Sequence, residues 1–258
     1  MIRQMTLVLG LTIAASATAA PFDGTWKADV NFTQVNTRPK IESISNGVYR
    51  CATCLRPFSI AADGKPHAVP AEETGTVETV KVVDAHTVVI KLMKGDRIIA
   101  THRLMALPDG KSLRVTSKEM AANGKVVMVE DLRRRVAAGP KGSHAISGTW
   151  QDAKTERIDE AVLTMTMNET NGVLHFRAGT GESYDARIGG PAVPIKGDTA
   201  GTLAAVRRAA PRTLVETDTL NGKIMSVTTM VIDNPTTMTV TLEDRQRGGV
   251  SRFVARRR

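Results

Sequence analysis

This sequence predicts an all-β chain of two tandem, small antiparallel up-and-down barrels, each of about eight or nine strands. Three observations predict it. The tripeptide Gly-Thr-Trp occurs twice, at Gly24-Thr25-Trp26 and Gly148-Thr149-Trp150, and it holds the only two tryptophans among 258 residues. Turn signals recur in the same order in both halves. The runs between those turns alternate apolar and polar side chains. A repeat of about 124 residues is a whole domain rather than a solenoid unit.

The turns come in matched pairs. Asn46-Gly47 corresponds to Asn171-Gly172, Asp63-Gly64 to Gly189-Gly190, Lys94-Gly95 to Asn221-Gly222, and Asp109-Gly110 to Asp233-Asn234. Asn123-Gly124 corresponds more loosely to Gly248-Gly249. Such dipeptides accept the positive φ that tight hairpins between antiparallel strands demand. Between them, Val88, Ile90 and Leu92 share one face of a run, as do Leu163, Met165 and Met167, and Met238, Val240 and Leu242. One dry and one wet face marks an antiparallel sheet. No long stretch carries a helical stripe. The segment from Asp152 to Glu160 reads as a surface loop or short helix.

The N-terminus reads as a signal peptide over residues 1–19. Arg3 gives the positive end, 7–15 is apolar, and Ala17 and Ala19 satisfy the small-x-small rule before the expected cleavage point. No cysteine lies near that point, which argues against a lipid anchor. The remainder divides into a domain over 20–138, a linker over 139–145 rich in Gly and Pro, and a domain over 146–258. No later run is long enough for a transmembrane helix. Nine aromatic residues are too few for the two girdles of an outer-membrane barrel. The expected location is therefore exported, periplasmic or extracellular.

The formal charge is +9, spread along the chain without a block of like charges. A basic surface attracts anions. Export removes the chain from most nucleic acid, and no aromatic-rich basic motif is present, so nucleic acid is not an expected partner. The charge reads as a solvated, mildly basic surface, with an anionic envelope component as the alternative.

Gly24-Thr25-Trp26 on an opening strand resembles the G-x-W signature of lipocalins. That resemblance implies a Trp plugging the closed end of an up-and-down barrel, with a basic residue of the last strand packed over its ring. Each repeat here closes on an arginine triplet, Arg133-Arg134-Arg135 and Arg256-Arg257-Arg258. Arg134 is assigned to Trp26, and Arg257 to Trp150, each within its own repeat. The pattern Tyr49-x-Cys51-x-x-Cys54, then Asp63-Gly64-x-x-His67 and Asp84-x-His86, is similar to an uncharacterised family of exported bacterial lipocalin-like proteins. That family implies no activity.

Cys51 and Cys54 are the only cysteines. In an oxidising compartment such a pair usually closes into a disulfide. Metal or thiol chemistry remains open, although Leu55 after Cys54 rules out haem attachment. The five histidines form no helical metal pair, and neither a nucleophile elbow nor a phosphate loop occurs. No catalytic, metal or cofactor set stands out. Eleven methionines serve as core filler or as a soft cavity lining. Two functions follow. One is a non-enzymatic binding protein for a small apolar or amphipathic ligand. The alternative is an envelope interaction or structural protein with filled barrels. An enzyme with a scattered site comes third.

Overall fold

The computed structural model describes residues 20–36, 38–54, 56–70, 75–246 and 248–258. The expected signal peptide lies outside the described residues. In chain order the strands are β1 (Gly24–Asn36), β2 (Lys40–Ser45), β3 (Val48–Cys51), β4 (Phe58–Ala61), β5 (His67–Ala68), β6 (Thr76–Val82), β7 (Thr87–Lys94), β8 (Arg97–Ala106), β9 (Ser112–Met120) and β10 (Val126–Ala138). Then come β11 (Gly148–Ile158), the one-turn helix α1 (Glu160–Leu163), β12 (Thr164–Thr170), β13 (Val173–Ala178), β14 (Ser183–Arg187) and β15 (Val193–Pro194). The chain finishes with β16 (Leu203–Ala210), β17 (Thr213–Leu220), β18 (Lys223–Asn234), β19 (Thr237–Asp244) and β20 (Gly249–Arg257). The protein is all-β, and its strands form two ten-stranded antiparallel sheets. Each curls into a nearly closed barrel, so the count per barrel is ten where eight or nine were expected.

The tight turns follow the residues that call for them. Asn46, Asn171 and Asn221 hold φ of 50°, 53° and 51°, and the glycine after each is also positive. Two successive left-handed residues give the turn whose twist matches that of the flanking strands. The ends of each sheet meet through a backbone hydrogen bond rather than a paired strand. Gly64 N–H donates to Val80 O at 2.8 Å in one, and Gly189 N–H donates to Val206 O at 2.7 Å in the other.

The barrels do not follow the division 20–138 and 146–258. The first barrel runs β4-β3-β2-β11-β10-β9-β8-β7-β6-β5. The second runs β14-β13-β12-β1-β20-β19-β18-β17-β16-β15. The opening strand of each repeat has thus been exchanged. β11 lies between β2 and β10, while β1 lies between β12 and β20. The segment 139–145 is accordingly not a linker between domains. It belongs to the connection from β10 to β11 within the first barrel.

Turn chemistry accounts for the exchange. β2 meets β11 at Lys40 opposite Trp150, and β12 meets β1 at Met165 opposite Trp26. If β1 stayed with β2 in that same register, their hairpin would tip near Thr33. If β11 stayed with β12, theirs would tip near Arg157 and Ile158. Neither tip carries a glycine or proline, so neither offers the positive φ of a tight turn. Pro39 adds to this by holding Arg38 in an extended conformation. By contrast, β10 enters β11 through a glycine-rich segment in which Gly142 has φ +77°. A turn forms there, with Ser143 N–H donating to Pro140 O at 3.1 Å and Ser147 N–H to His144 O at 2.8 Å.

The barrels also touch directly. Asn123, in the β9–β10 turn, donates its N–H to Thr180 O at 3.0 Å and its side-chain amide to Gly179 O at 3.2 Å. A Cβ on Gly181 would stand 2.7 Å from the Asn123 backbone nitrogen, and one on Gly197 2.7 Å from the Ala122 Cβ. Only glycine permits so close an approach at these two points.

Each barrel has its own core. Trp150 packs with Ile44, Tyr49, Val80, Val88, Leu113 and Ile146 in the first. Trp26 packs with Phe22, Met167, Leu174, Leu214 and Met238 in the second, where methionine fills space that aromatics do not. The first barrel is continuous in sequence over 40–158, whereas the second needs β1 from the far end of the chain. A fragment of residues 40–158 should therefore fold alone, with one cooperative thermal transition and the blue-shifted fluorescence of a buried Trp150. An unfolded fragment would contradict this topology.

Candidate functional site

Both tryptophans sit fully buried at one end of their barrels, each under an arginine. The Arg257 guanidinium lies 4.5 Å from the ring centre of Trp26, and Arg135 lies 4.0 Å from that of Trp150. Each pair is directly opposed across adjacent strands. The assignments made from sequence are corrected in two ways. The partners are exchanged, because the strands are. Arg134 is not a partner at all. Arg133 and Arg135 point inward on β10, so strict alternation sends Arg134 to the exposed face.

Each arginine does more than cover a ring. Arg135 donates from Nη1 to Ser147 O at 2.5 Å, from Nη2 to Ala145 O at 2.7 Å, and from Nε to Gly110 O at 2.8 Å. Arg257 donates from Nη1 to Asp23 O and from Nη2 to Pro21 O at 2.8 Å. Its Nε is buried without a hydrogen-bond partner among the described residues. Each indole N–H reaches back to the carbonyl four residues earlier: Trp26 to Phe22 O at 2.9 Å and Trp150 to Ile146 O at 2.8 Å. The glycine of each Gly-Thr-Trp lies beneath this clasp. A Cβ on Gly148 would stand 2.8 Å from Arg135 Nη1 and 2.7 Å from Ala137 O, and one on Gly24 3.3 Å from Arg257 Nη1. The tripeptide is thus a mechanical requirement: glycine admits the arginine that seals the tryptophan. Removing a buried tryptophan typically costs about 3–5 kcal/mol, and a cation–π contact adds about 0.5–2 kcal/mol.

Cys51 and Cys54 are joined in a disulfide. It lies at the end of β3, on the way to β4, with Cys51 buried in the first core.

A polar layer follows the apolar one inside each barrel. Along β2 the inward positions run Ile44, Glu42, Lys40; along β6, Val80 then Glu78; along β10, Arg135 then Arg133. Arg133 Nε donates to Asp152 Oδ1 at 3.1 Å, and its Nη1 lies 3.6 Å from Glu42 Oε1. Lys40 Nζ lies 3.5 Å from Asp152 Oδ1. Glu42 Oε2 is sealed from solvent without a hydrogen bond among the described residues. Burial raises the Glu42 carboxyl above its usual range, against the pull of Arg133 and Lys40. Glu78 is only 8% exposed. Burial first, and Glu42 second, push its carboxyl up to about 7. His102, bonded to Ser117 Oγ at 2.9 Å, is lowered by burial and by Arg133 and Lys40. In the second barrel, Tyr184 donates to Glu216 Oε2 at 2.6 Å and Ser226 to Asp218 Oδ2 at 2.7 Å. Burial and mutual repulsion raise the Glu216 carboxyl, and burial raises that of Asp218.

Two recesses stand out, and neither lies inside a barrel. One, of about 250 Å3, sits beside the Arg135 clasp between Leu107, Pro140 and His144. The other, of about 580 Å3, opens where the exchanged strands pass between the barrels. Residues 27–30 of β1, 155–158 of β11, Leu163 and the last three arginines line it. Five of its lining side chains are cationic (Lys27, Arg157, Arg256, Arg257, Arg258) and two are anionic (Asp29, Glu156). Arg256 pairs with Asp29 at 3.1 Å, and Glu160 on the rim holds both Lys27 at 3.3 Å and Arg258 at 2.8 Å.

Sequence reading missed this groove, because only the exchange brings residues 27–30 beside 155–158. It also missed the buried acids, although Glu42, Glu78 and Glu216 each lie two residues from a buried apolar position on the same strand. No family model, curated protein or solved structure matches the chain. No helix among the described residues is long and apolar enough to cross a membrane.

The Glu78 carboxyl gives a signed prediction. Its folded pKa is raised, so its contribution to stability is complete below about 4.5 and is lost as pH climbs to about 7. The loss is about 3 kcal/mol. His102 has the opposite sign, because its lowered pKa makes acid destabilising below its ordinary 6.5. The difference between parent and variant isolates the carboxyl. Glu78→Gln should stabilise the first barrel relative to the parent at pH 8, with the advantage shrinking toward pH 4.5. Parallel denaturation curves across that range would contradict it.

Proposed function

We propose that this chain is an exported, non-enzymatic interaction protein, in which packed barrels hold a basic groove for an anionic envelope component. The groove between the barrels carries the reading. It is the larger of the two recesses described, both repeats contribute to it, and cations outnumber anions along its walls. The lipocalin-like resemblance supports the barrel architecture as a scaffold. The expected signal peptide and the Cys51–Cys54 disulfide support export, since disulfides persist in oxidising compartments.

A chamber for a small amphipathic molecule is the second reading. The buried Glu78 carboxyl favours it, since a polar head group would find an acid inside the first barrel. Against it, the interior beside each tryptophan is occupied by fully buried side chains such as Val80, Leu113, Met167 and Leu174. Both recesses also lie outside the barrels.

The groove reading is tested with the full chain and two anionic probes, poly-L-glutamate and phosphatidylglycerol vesicles. At least one should bind at low ionic strength. Replacing Arg157 and Arg256 by glutamate should weaken it by about tenfold or more. The same reversal at Arg50 and Arg97, away from the groove, should change little. Equal loss from both pairs would reduce the effect to net charge and overturn the assignment of the groove.

A further inference from the structure

The outer walls of the two barrels differ in charge. Across β6, β7, β8 and β9 the outward positions hold Lys81, Lys91, Arg103, Arg114 and Lys118, and no acid. Arg114 is engaged by Glu156 at 3.0 Å. Lys81, Lys91, Arg103 and Lys118 are exposed, and none of the four makes an ion pair or a side-chain hydrogen bond among the described residues. Glu130, the outward acid of the adjoining β10, accepts from Thr116 at 3.0 Å and lies 3.8 Å from Arg114.

The four cations form one stripe. Lys91 and Lys118 stand directly opposite Thr101, one on either side. Arg103 lies two residues along from Thr101, and Lys81 lies on the strand beyond Lys91, opposite Val89. Each cation is therefore the diagonal neighbour of the last, about 7–8 Å away. The fold does not ask for this. Val80, Val88, Leu104 and Val115 have Val206, Leu214, Met230 and Val240 as their counterparts in the second core. Counted from these, the same four places on the second barrel hold Arg207, Thr217, Thr229 and Glu243. Neighbouring like charges repel, and an anion laid over them relieves the repulsion.

We infer that this wall of the first barrel receives a linear anionic polysaccharide, laid across β6 to β9 so that successive anionic groups meet Lys81, Lys91, Arg103 and Lys118. The site goes beyond the groove and shares no residue with it. Three features select the occupant. Three of the four cations are lysines, which meet an anion as point charges, so the stripe reads charge spacing rather than the planar shape that arginine matches. β7, β8 and β9 are paired on both sides, so their backbone has nothing to offer an extended peptide. A peptide held by side chains alone would lose much backbone freedom on binding, whereas sugar rings are already rigid. The wall is also curved. Three inter-strand steps of a ten-stranded barrel turn it through about 100°. A polymer that bends at its glycosidic links follows all four cations, where a flat bilayer meets only part of the stripe. Thr101, in the middle, offers its hydroxyl to the sugar.

The test uses the full chain and fluorescently labelled dextran sulfate, read by anisotropy, with uncharged dextran as the blank. Dextran sulfate should bind at low ionic strength and weaken as salt rises, because binding releases its counterions. Lys91→Glu with Lys118→Glu should weaken binding by about tenfold or more, and Lys91→Arg with Lys118→Arg should keep it. Lys91→Gln with Lys118→Gln should weaken it in the same direction, which covers the case in which the double reversal disturbs the barrel. Arg207→Glu with Arg252→Glu, both exposed on the second barrel, should change it by less than about twofold. Equal loss from the two reversed pairs would reduce the effect to net charge and overturn the stripe. So would failure of dextran sulfate to bind, or its binding unchanged by the loss of Lys91 and Lys118. If that loss instead releases phosphatidylglycerol vesicles and leaves dextran sulfate bound, a lipid surface is the occupant and the polysaccharide falls. None of these variants touches a residue of the groove, so the groove reading stands or falls separately on Arg157 and Arg256.

Discussion

Each barrel is completed by a strand that belongs in sequence to the other repeat, and an arginine locks that strand in place. This is the constraint on which the rest of the molecule depends. Arg257 ties β1 into the second barrel by stacking on Trp26 and holding the carbonyls of Pro21 and Asp23. Arg135 ties β11 into the first through Trp150, Ala145 and Ser147. The two clasps are built alike, so the receiving position in either barrel asks for the same thing: a glycine for clearance, a tryptophan for the plug, and a carbonyl behind it. Neither barrel can lose its exchanged strand without exposing a core. The two are therefore coupled mechanically, beyond the direct contact of Asn123 with the second barrel.

The exchange also sets where polar chemistry goes. At the clasped end each interior is sealed with apolar side chains. One step further along the strands the interior turns polar, and burial raises carboxyls such as Glu78 and Glu216 above their ordinary range. Buried polar groups without full partners destabilise a core, so the second layer makes each barrel weaker at its far end. Outside, the same long strands run past the barrels and line the groove. Arginines from the end of β20 collect there, because the register that places Arg257 over Trp26 also carries Arg256 and Arg258 to the groove.

Much of the fold was legible in the sequence, for local reasons. Asn46-Gly47, Asn171-Gly172 and Asn221-Gly222 announce their hairpins through backbone preference alone. Alternation in β7 and β19 reports one dry face without regard to which strand lies alongside. Gly-Thr-Trp announced the clasp, and Arg257 was read as a ring partner, but of the wrong tryptophan. What was not legible is which barrel receives which strand. Trp26 and Trp150 carry the same tripeptide, so nothing in either strand names its host. The clue lay in what is missing, since neither Phe32-Thr33-Gln34 nor Arg157-Ile158 contains a turn residue. Arg134 was misassigned because three consecutive arginines give no phase, and phase comes only from pairing with Leu113 and Val115 on β9. The groove depends on the exchange, so it could not be seen before the exchange was.

The most direct measurement cuts the chain where the two topologies differ. A protease site placed after Gly142, which is exposed and has open space around it, severs β1–β10 from β11–β20. With exchanged strands, each piece holds a strand of the other's barrel. Native mass spectrometry and size exclusion after cleavage should then show a single particle of full-chain mass that persists on dilution and separates only in denaturant. Two separately folded particles, each with its own buried tryptophan, would contradict the account.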